Sequence, residues 1–203
     1  MAKLNIATVT RAVDEMLLRT DDLRHRQILE NYRRHAILEV INEWKEILAA
    51  DMTVEHPVYY VNVDGASTTL DGYEQVSQFY GALEHSESTV MVPEDEKLAV
   101  ADWGFASEAI VNFFVSGVAA SAAFQRGESK LDADPEKFYV IRRRMSMQWL
   151  YDERGRLIGE HVYEHADHVE IREVPESEFI TLNEAREKLL PLLRPLPVFE
   201  SAN

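Results

Sequence analysis

The stretch LAADMTVEHPVYY, residues 48–60, constrains the fold of this chain more than any other. A helix has to end there and a strand has to begin. Upstream, Leu23, Ile28, Leu29, Tyr32, Ile37, Val40, Ile41 and Trp44 recur with the spacing of one broad apolar helical face. Thr20 or Asp21 can cap that helix, which leaves the first twenty residues as a separate short helical extension. Pro57 pushes His56 out of helical geometry. The run Thr53 to Val63 then reads as a strand. Downstream, LDGYEQVSQFY (70–80) opens a second helix, with Asp71 as its cap. Helix, strand, helix and then a long run of strands is the order that a cone needs, with helices closing one face of a strongly curved sheet.

The remaining sequence supplies the strands. Lys97 to Ala101 predicts a short strand, and Asp102-Trp103-Gly104 a bend. Phe105 to Val118 predicts a long strand with apolar residues on both faces, hence one covered on both sides. Residues 119–138 are small and polar and read as an insertion over one end of the sheet, a flap. Phe138 to Tyr151 and Arg156 to Val169 pair as antiparallel strands around the turn Asp152-Glu153-Arg154-Gly155. Thr181 and Glu184 form a capping box for a C-terminal helix ending near Leu193. The expected class is α+β: a cone-shaped curved antiparallel sheet wrapped by N-terminal helices. Residues 1–20 form a helical extension, 21–170 the cone domain, and 171–203 an extra helix and tail.

Composition narrows the function. The chain has no cysteine, which removes disulfides, thiolate nucleophiles and cysteine-bound metals. Its 36 acidic and 21 basic residues give a net charge of −15, a field that repels nucleic acid and anionic membrane surfaces. No apolar run approaches the roughly 20 residues of a membrane span, and the first residues lack the pattern of a secretion signal. A cytoplasmic protein is the expectation. No glycine-rich phosphate loop, G-x-S-x-G elbow or H-E-x-x-H motif is present, so neither a nucleotide nor a covalent nucleophile is signalled.

The candidates for chemistry are ionisable groups near aromatic ones. His56 offers an imidazole that exchanges protons near neutrality. Tyr59 and Tyr60 point to opposite faces, so one phenol can donate to a developing oxyanion. Glu108 shares a strand face with Ile110 and Phe114, a setting that raises a carboxyl pKa. On the last long strand His161, Tyr163 and His165 share one face while Glu160, Val162 and Glu164 share the other. The histidine–tyrosine face is the unusual one, and His161 is its candidate. Arg144, if turned inward, can hold an anion. Tyr32, Trp103, Phe105, Phe113, Trp149 and Tyr163 are candidate pocket walls. Each of these residues also has a purely structural reading, as a core ring or a surface ion pair.

Four segments carry a resemblance: LAADMTVEHPVY (48–59), LDGYEQVSQFY (70–80), VADWGFASEA (100–109) and DERGRLIGEHVYEHAD (152–167). Over roughly residues 20–170 the chain resembles the nuclear transport factor 2-like superfamily, in its SnoaL-like group of polyketide cyclases and small lyases. The resemblance implies the cone fold, a homodimer, and a hydrophobic small molecule as partner, with no cofactor and no metal. Several dehydratase-like members carry an Asp one turn after a Tyr on the first long helix. Here Ala36 stands one turn after Tyr32, so that dyad is not expected. The implied function is a cofactor-independent lyase or isomerase working by acid–base chemistry on a cyclic or aromatic molecule. Dehydration, double-bond shift, cyclisation and deformylation all fit. A non-catalytic binding or dimerisation module and an epoxide-type hydrolase are the alternatives.

Overall fold

The computed structural model describes residues 3–124 and 133–198. A 3-10 turn (Ile6–Thr8) and helix α1 (Arg11–Leu17) precede the long helix α2 (Leu23–Val40). The cap of α2 is Asp22, whose carboxylate accepts from the His25 backbone N–H at 2.9 Å. Asn42, with φ of 62°, turns the chain out of α2. The short helix α3 (Trp44–Ile47) follows, so the apolar helical face read from Leu23 to Trp44 is divided between two helices.

Strands β1 (Val58–Val63) and β2 (Ala66–Asp71) form a hairpin, and helix α4 (Tyr73–His85) follows. The expected cap Asp71 belongs instead to the end of β2. Gly72, with φ of 90°, occupies the cap position of α4, a conformation that disfavours side chains. Strands β3 (Met91–Ala101), β4 (Gly104–Ser116), β5 (Phe138–Tyr151) and β6 (Leu157–Val174) complete the sheet. Helix α5 (Gly117–Phe124) fills the start of the expected flap, and residues 125–132 lie outside the described residues. Helix α6 (Leu182–Leu189) begins at the expected capping box: the Glu184 N–H donates to the Thr181 hydroxyl at 3.1 Å.

The strand order is β2-β1-β6-β5-β4-β3, an open sheet of six. All neighbours are antiparallel except β1 and β6, which run parallel through Tyr60–His161 to Asn62–Tyr163. Register shifts interrupt β3 between Glu94 and Lys97, and the β5–β6 pair between Arg143 and Met145 and again between Leu150 and Tyr151. Such bulges bend strands and increase their twist, which is how a sheet becomes a cone. β3 is twice the predicted length because its first half, Met91 to Glu96, hides its strand character behind Pro93 and three acids.

Helix α2 joins the two main core clusters. Its Ile28, Leu29, Tyr32 and Leu38 pack with Tyr59, Tyr80, Phe105, Trp149, Tyr151 and Leu157. Its Ile37 and Val40, with Ile41 at its C-terminal cap, pack with Phe114, Val140, Ile180 and Leu189. β4 therefore contributes Phe105 to one cluster and Phe114 to the other, while Ala109, Val111 and Val115 enter satellite clusters. That accounts for its apolar residues on both faces. Burying a ring such as Phe105, fully inaccessible here, stabilises by about 2–3 kcal/mol. Among the described residues no helix is long and apolar enough to cross a membrane.

Candidate active site

Where side chains of α2 meet those of β5 and β6, the core turns polar. His35 and Glu39 lie one turn apart on α2 and project to one side. Glu160 reaches in from β6, Tyr59 from β1, Tyr80 from α4, and Trp149 and Tyr151 from β5. The face is set by register: Tyr59 neighbours Tyr60 and Glu160 neighbours His161, and Tyr60 and His161 face each other on the opposite side.

His35 stands at the centre and is inaccessible to solvent. Its Nε2 lies 3.6 Å from a Glu160 oxygen, 3.7 Å from a Glu39 oxygen and 3.1 Å from the Tyr80 hydroxyl. The Trp149 ring meets the imidazole edge-on at 4.5 Å, and Tyr59 and Tyr80 meet edge-on at 6.3 Å. Phe105 stacks on Trp149, and Tyr32 lies against both.

Desolvation sets the protonation of this group. Burial lowers the imidazole of His35 to about 3, so it is neutral. Burial raises Glu39 to about 7. Glu160 is pushed well above the usual carboxylate range, by burial first and by the charge of Glu39 second; the Tyr59 and Tyr80 hydroxyls pull the other way. Burial, aided by Glu160, raises Tyr59, Tyr80 and Tyr151 well above ordinary phenols. Near neutral pH the set thus holds a neutral imidazole, three phenols, the Glu39 carboxyl midway through its ionisation and a second carboxyl, Glu160, pushed toward its protonated form.

Several of these groups have buried polar atoms without a hydrogen-bond partner among the described residues: His35 Nδ1, the Tyr151 hydroxyl, Trp149 Nε1 and Glu160 Oε1. Unsatisfied buried polar atoms are uncommon, and a cluster of them marks a place built for a partner. Glu96, in the bulged part of β3, accepts from the Tyr32 hydroxyl at 2.6 Å. Burial raises its carboxyl too. Glu96 also lines a cleft of about 270 Å³ with Met16 and Arg19.

The residues singled out in the sequence separate into groups. Tyr59, Tyr32, Phe105 and Trp149 belong to this interior. Glu108 does not: it is about one-third exposed and paired with Arg144 at 3.1 Å. With Tyr163 it lines a cleft of about 370 Å³ on the opposite face. His161 is on that face as well, its ring against Tyr60. His56 is bound to Asp71 at 2.7 Å with 69% of its side chain exposed, because the chain surfaces at Glu55 and His56, between the buried Thr53 and Pro57. Trp103 is 48% exposed at the β3–β4 turn, and Phe113 packs partly into the satellite clusters. The structure brings His56, Glu108 and His161 neither to one another nor to Tyr59.

His35, Glu39, Tyr80, Tyr151 and Glu160 were not singled out. One signal was available for the helical pair: a His and a Glu one turn apart on the face of α2 that carries Tyr32 and Leu38. Glu160 could have been found from its neighbours, since it sits between Gly159 and the His-Tyr face. Among the described residues no group of three or more histidines and carboxylates is arranged to hold a metal ion.

No protein-family model matches the chain, and no curated protein matches it. Solved structures do. A protein from Jannaschia sp. described as a SnoaL-like polyketide cyclase shares 12% identity, covering 72% of this chain and 91% of its own, with a TM-score of 0.50. One from Xanthomonas campestris described as a polyketide cyclase shares 12%, covering 71% and 94%, also with a TM-score of 0.50. An NTF2-like protein from Anabaena variabilis shares 10%, covering 73% and 96%, with a TM-score of 0.49. The fold is shared with the two structures described as polyketide cyclases, and it is the curved-sheet cone expected from the sequence.

Proposed function

We propose that the chain is a cofactor-independent lyase, isomerase or cyclase that performs acid–base chemistry on a hydrophobic cyclic molecule inside the cone. The observation that carries this reading is the pair Glu39 and Glu160, both close to His35 Nε2 and walled by aromatic rings. A carboxyl at about 7 is matched to a general base at neutral pH. A carboxyl held protonated beside it is matched to a general acid.

In an elimination, Glu39 takes a proton from carbon and the electron pair becomes the new double bond. Glu160 gives its proton to the departing oxygen, which leaves as water. His35, between the two, returns the proton from Glu39 to Glu160 and closes the cycle. In a double-bond shift or ring closure the same pair works on a carbonyl, with the Tyr59 hydroxyl donating to the enolate oxygen. The rings close tightly around the set, so a substrate is admitted only when side chains part. The cleft beside Glu96 is the proposed route, with the Tyr32–Glu96 hydrogen bond opening.

The test is turnover of cyclic β-hydroxy ketones and β,γ-unsaturated ketones by the wild type and variants. Glu39→Gln and Glu160→Gln should each lower kcat by at least about a hundredfold, the low end for a lost acid or base. His56→Gln should leave it within about twofold. Turnover that survives both glutamate substitutions overturns the proposal.

A homodimer is proposed through the opposite sheet face, where Tyr60 and Tyr163 are each 42% exposed. Light scattering of the wild type and Tyr163→Glu tests it: a dimer that dissociates in the variant supports this face, and a wild-type monomer rejects it.

A further inference from the structure

The interior is acidic, aromatic and without counter-charge. Among the described residues neither Glu39 nor Glu160 has a lysine or arginine partner; the ionisable neighbour of both is the neutral His35. Among the described residues Arg24 is a cation that acts on Tyr151. Its guanidinium is held by the backbone oxygens of Asp102 and Tyr151. Burying two carboxyls with no cation is costly, and both respond by keeping protons.

We infer that the ligand of this interior is a hydrophobic ring compound carrying a protonated amine, its ammonium seated between Glu39 and Glu160. The inference rests on the reading of the interior as a ligand site. Three features support it beyond the acids. Glu160 Oε1 and the Tyr151 hydroxyl oxygen are buried acceptors without partners among the described residues, and an ammonium brings three N–H donors. The walls are the rings of Tyr59, Tyr80, Trp149 and Tyr151, whose faces attract cations, and more strongly when water is excluded. A carboxylate or phosphate would meet two acids and no cation in the same place. The net charge of −15 adds a field that concentrates cations around the protein.

Binding of an ammonium supplies the missing charge, lowers the affinity of Glu39 for its proton and releases that proton to solvent, while Glu160 keeps its own as the acid. The groups that share this exchange are Glu39, His35 and Tyr32 on α2, Tyr59 on β1, Tyr80 on α4, Glu96 on β3, Tyr151 on β5, Glu160 on β6 and Arg24 at the rim.

Titration calorimetry at pH 7 with 2-phenylethylammonium, 2-phenylethanol and phenylacetate tests the inference. Two buffers of different ionisation enthalpy report the proton. The ammonium should bind at least about tenfold more tightly than the alcohol, with proton release, and phenylacetate should bind more weakly than either. In Glu160→Gln, checked for folding by circular dichroism, the preference should fall to within about threefold while the alcohol still binds. Glu39→Gln provides the second variant and should also weaken the preference. If the alcohol or the acid binds as tightly as the ammonium, or if the preference survives both substitutions, the inference is wrong and the acid–base reading stands. If none of the three binds, both fall together.

Discussion

Replacing Glu39 with Gln should make the protein more stable in alkali and leave it nearly unchanged in acid. Burial moves this carboxyl from its ordinary value of 4.5 to about 7. In the unfolded chain it ionises near 4.5, and in the folded protein only near 7. Between those values the folded state binds the extra proton, so stability falls as pH rises. Each pH unit is worth about 1.36 kcal/mol, so the folded state loses about 3 kcal/mol between pH 4.5 and pH 8. Gln keeps the shape and removes the titration. It also lowers Glu160, because the charge of Glu39 is the second cause of that shift. His35 contributes in the other direction. Its pKa is lowered to about 3, so its contribution is complete above the ordinary 6.5 and is lost as pH falls toward 3. Wild type and variant share that slope, so their difference reports Glu39 together with its effect on Glu160. Urea denaturation from pH 4.5 to 8.5 should give curves that meet in acid and part by about 3 kcal/mol in alkali. Curves that stay parallel across the range would refute the reasoning.

Phe105→Ala should cost about 3–5 kcal/mol in denaturant unfolding, since the ring is fully buried against Tyr32 and Trp149; a loss under 1 kcal/mol would mean the cluster reorganises around the gap. Arg143 is buried with Asp64 at 2.6 Å and also binds Glu164, itself nearly buried, so Arg143→Ala should cost about 3–5 kcal/mol by leaving a carboxylate unpaired. Adding Asp64→Asn and Glu164→Gln to that variant should recover part of the loss. Gly104→Ala should fold poorly, because Gly104 has φ of 148° and an added Cβ would lie 1.9 Å from the Trp149 carbonyl oxygen; thermal unfolding unchanged from wild type would contradict that placement.

The fold was legible because period and punctuation agree. His56-Pro57, the Asp152–Gly155 turn and the Thr181 capping box each mark a boundary where the structure has one. The first half of β3 was not legible, since acids at 94–96 mask the alternation and the bulge breaks it. The α4 cap was misassigned because Asp71 is a good capping residue, but Gly72 has the backbone freedom the turn requires. The interior site was half legible. Parity assigned Glu160 and His161 to opposite faces of β6 correctly, but parity does not say which face is buried. The pair of histidines drew attention to the exposed side. His35 and Glu39 were hidden for a different reason: a broad helical face tolerates polar residues, and α2 buries Glu30, Asn31 and Arg33 as well. Arg194 binds Glu30, Met52 and Gly155 carbonyls accept from Asn31, and Asp14 binds Arg33. Only the partners separate those structural polar groups from His35.

The account depends on two carboxyls that stay protonated inside the cone until near-neutral pH. Carbon-13 NMR of the protein labelled at the glutamate side-chain carboxyl carbon measures this without a substrate. The predicted spectrum has one resonance that titrates around pH 7, a second displaced well above the ordinary carboxylate range, and loss of the first in Glu39→Gln. Glutamate resonances that all titrate close to 4.5 would contradict it.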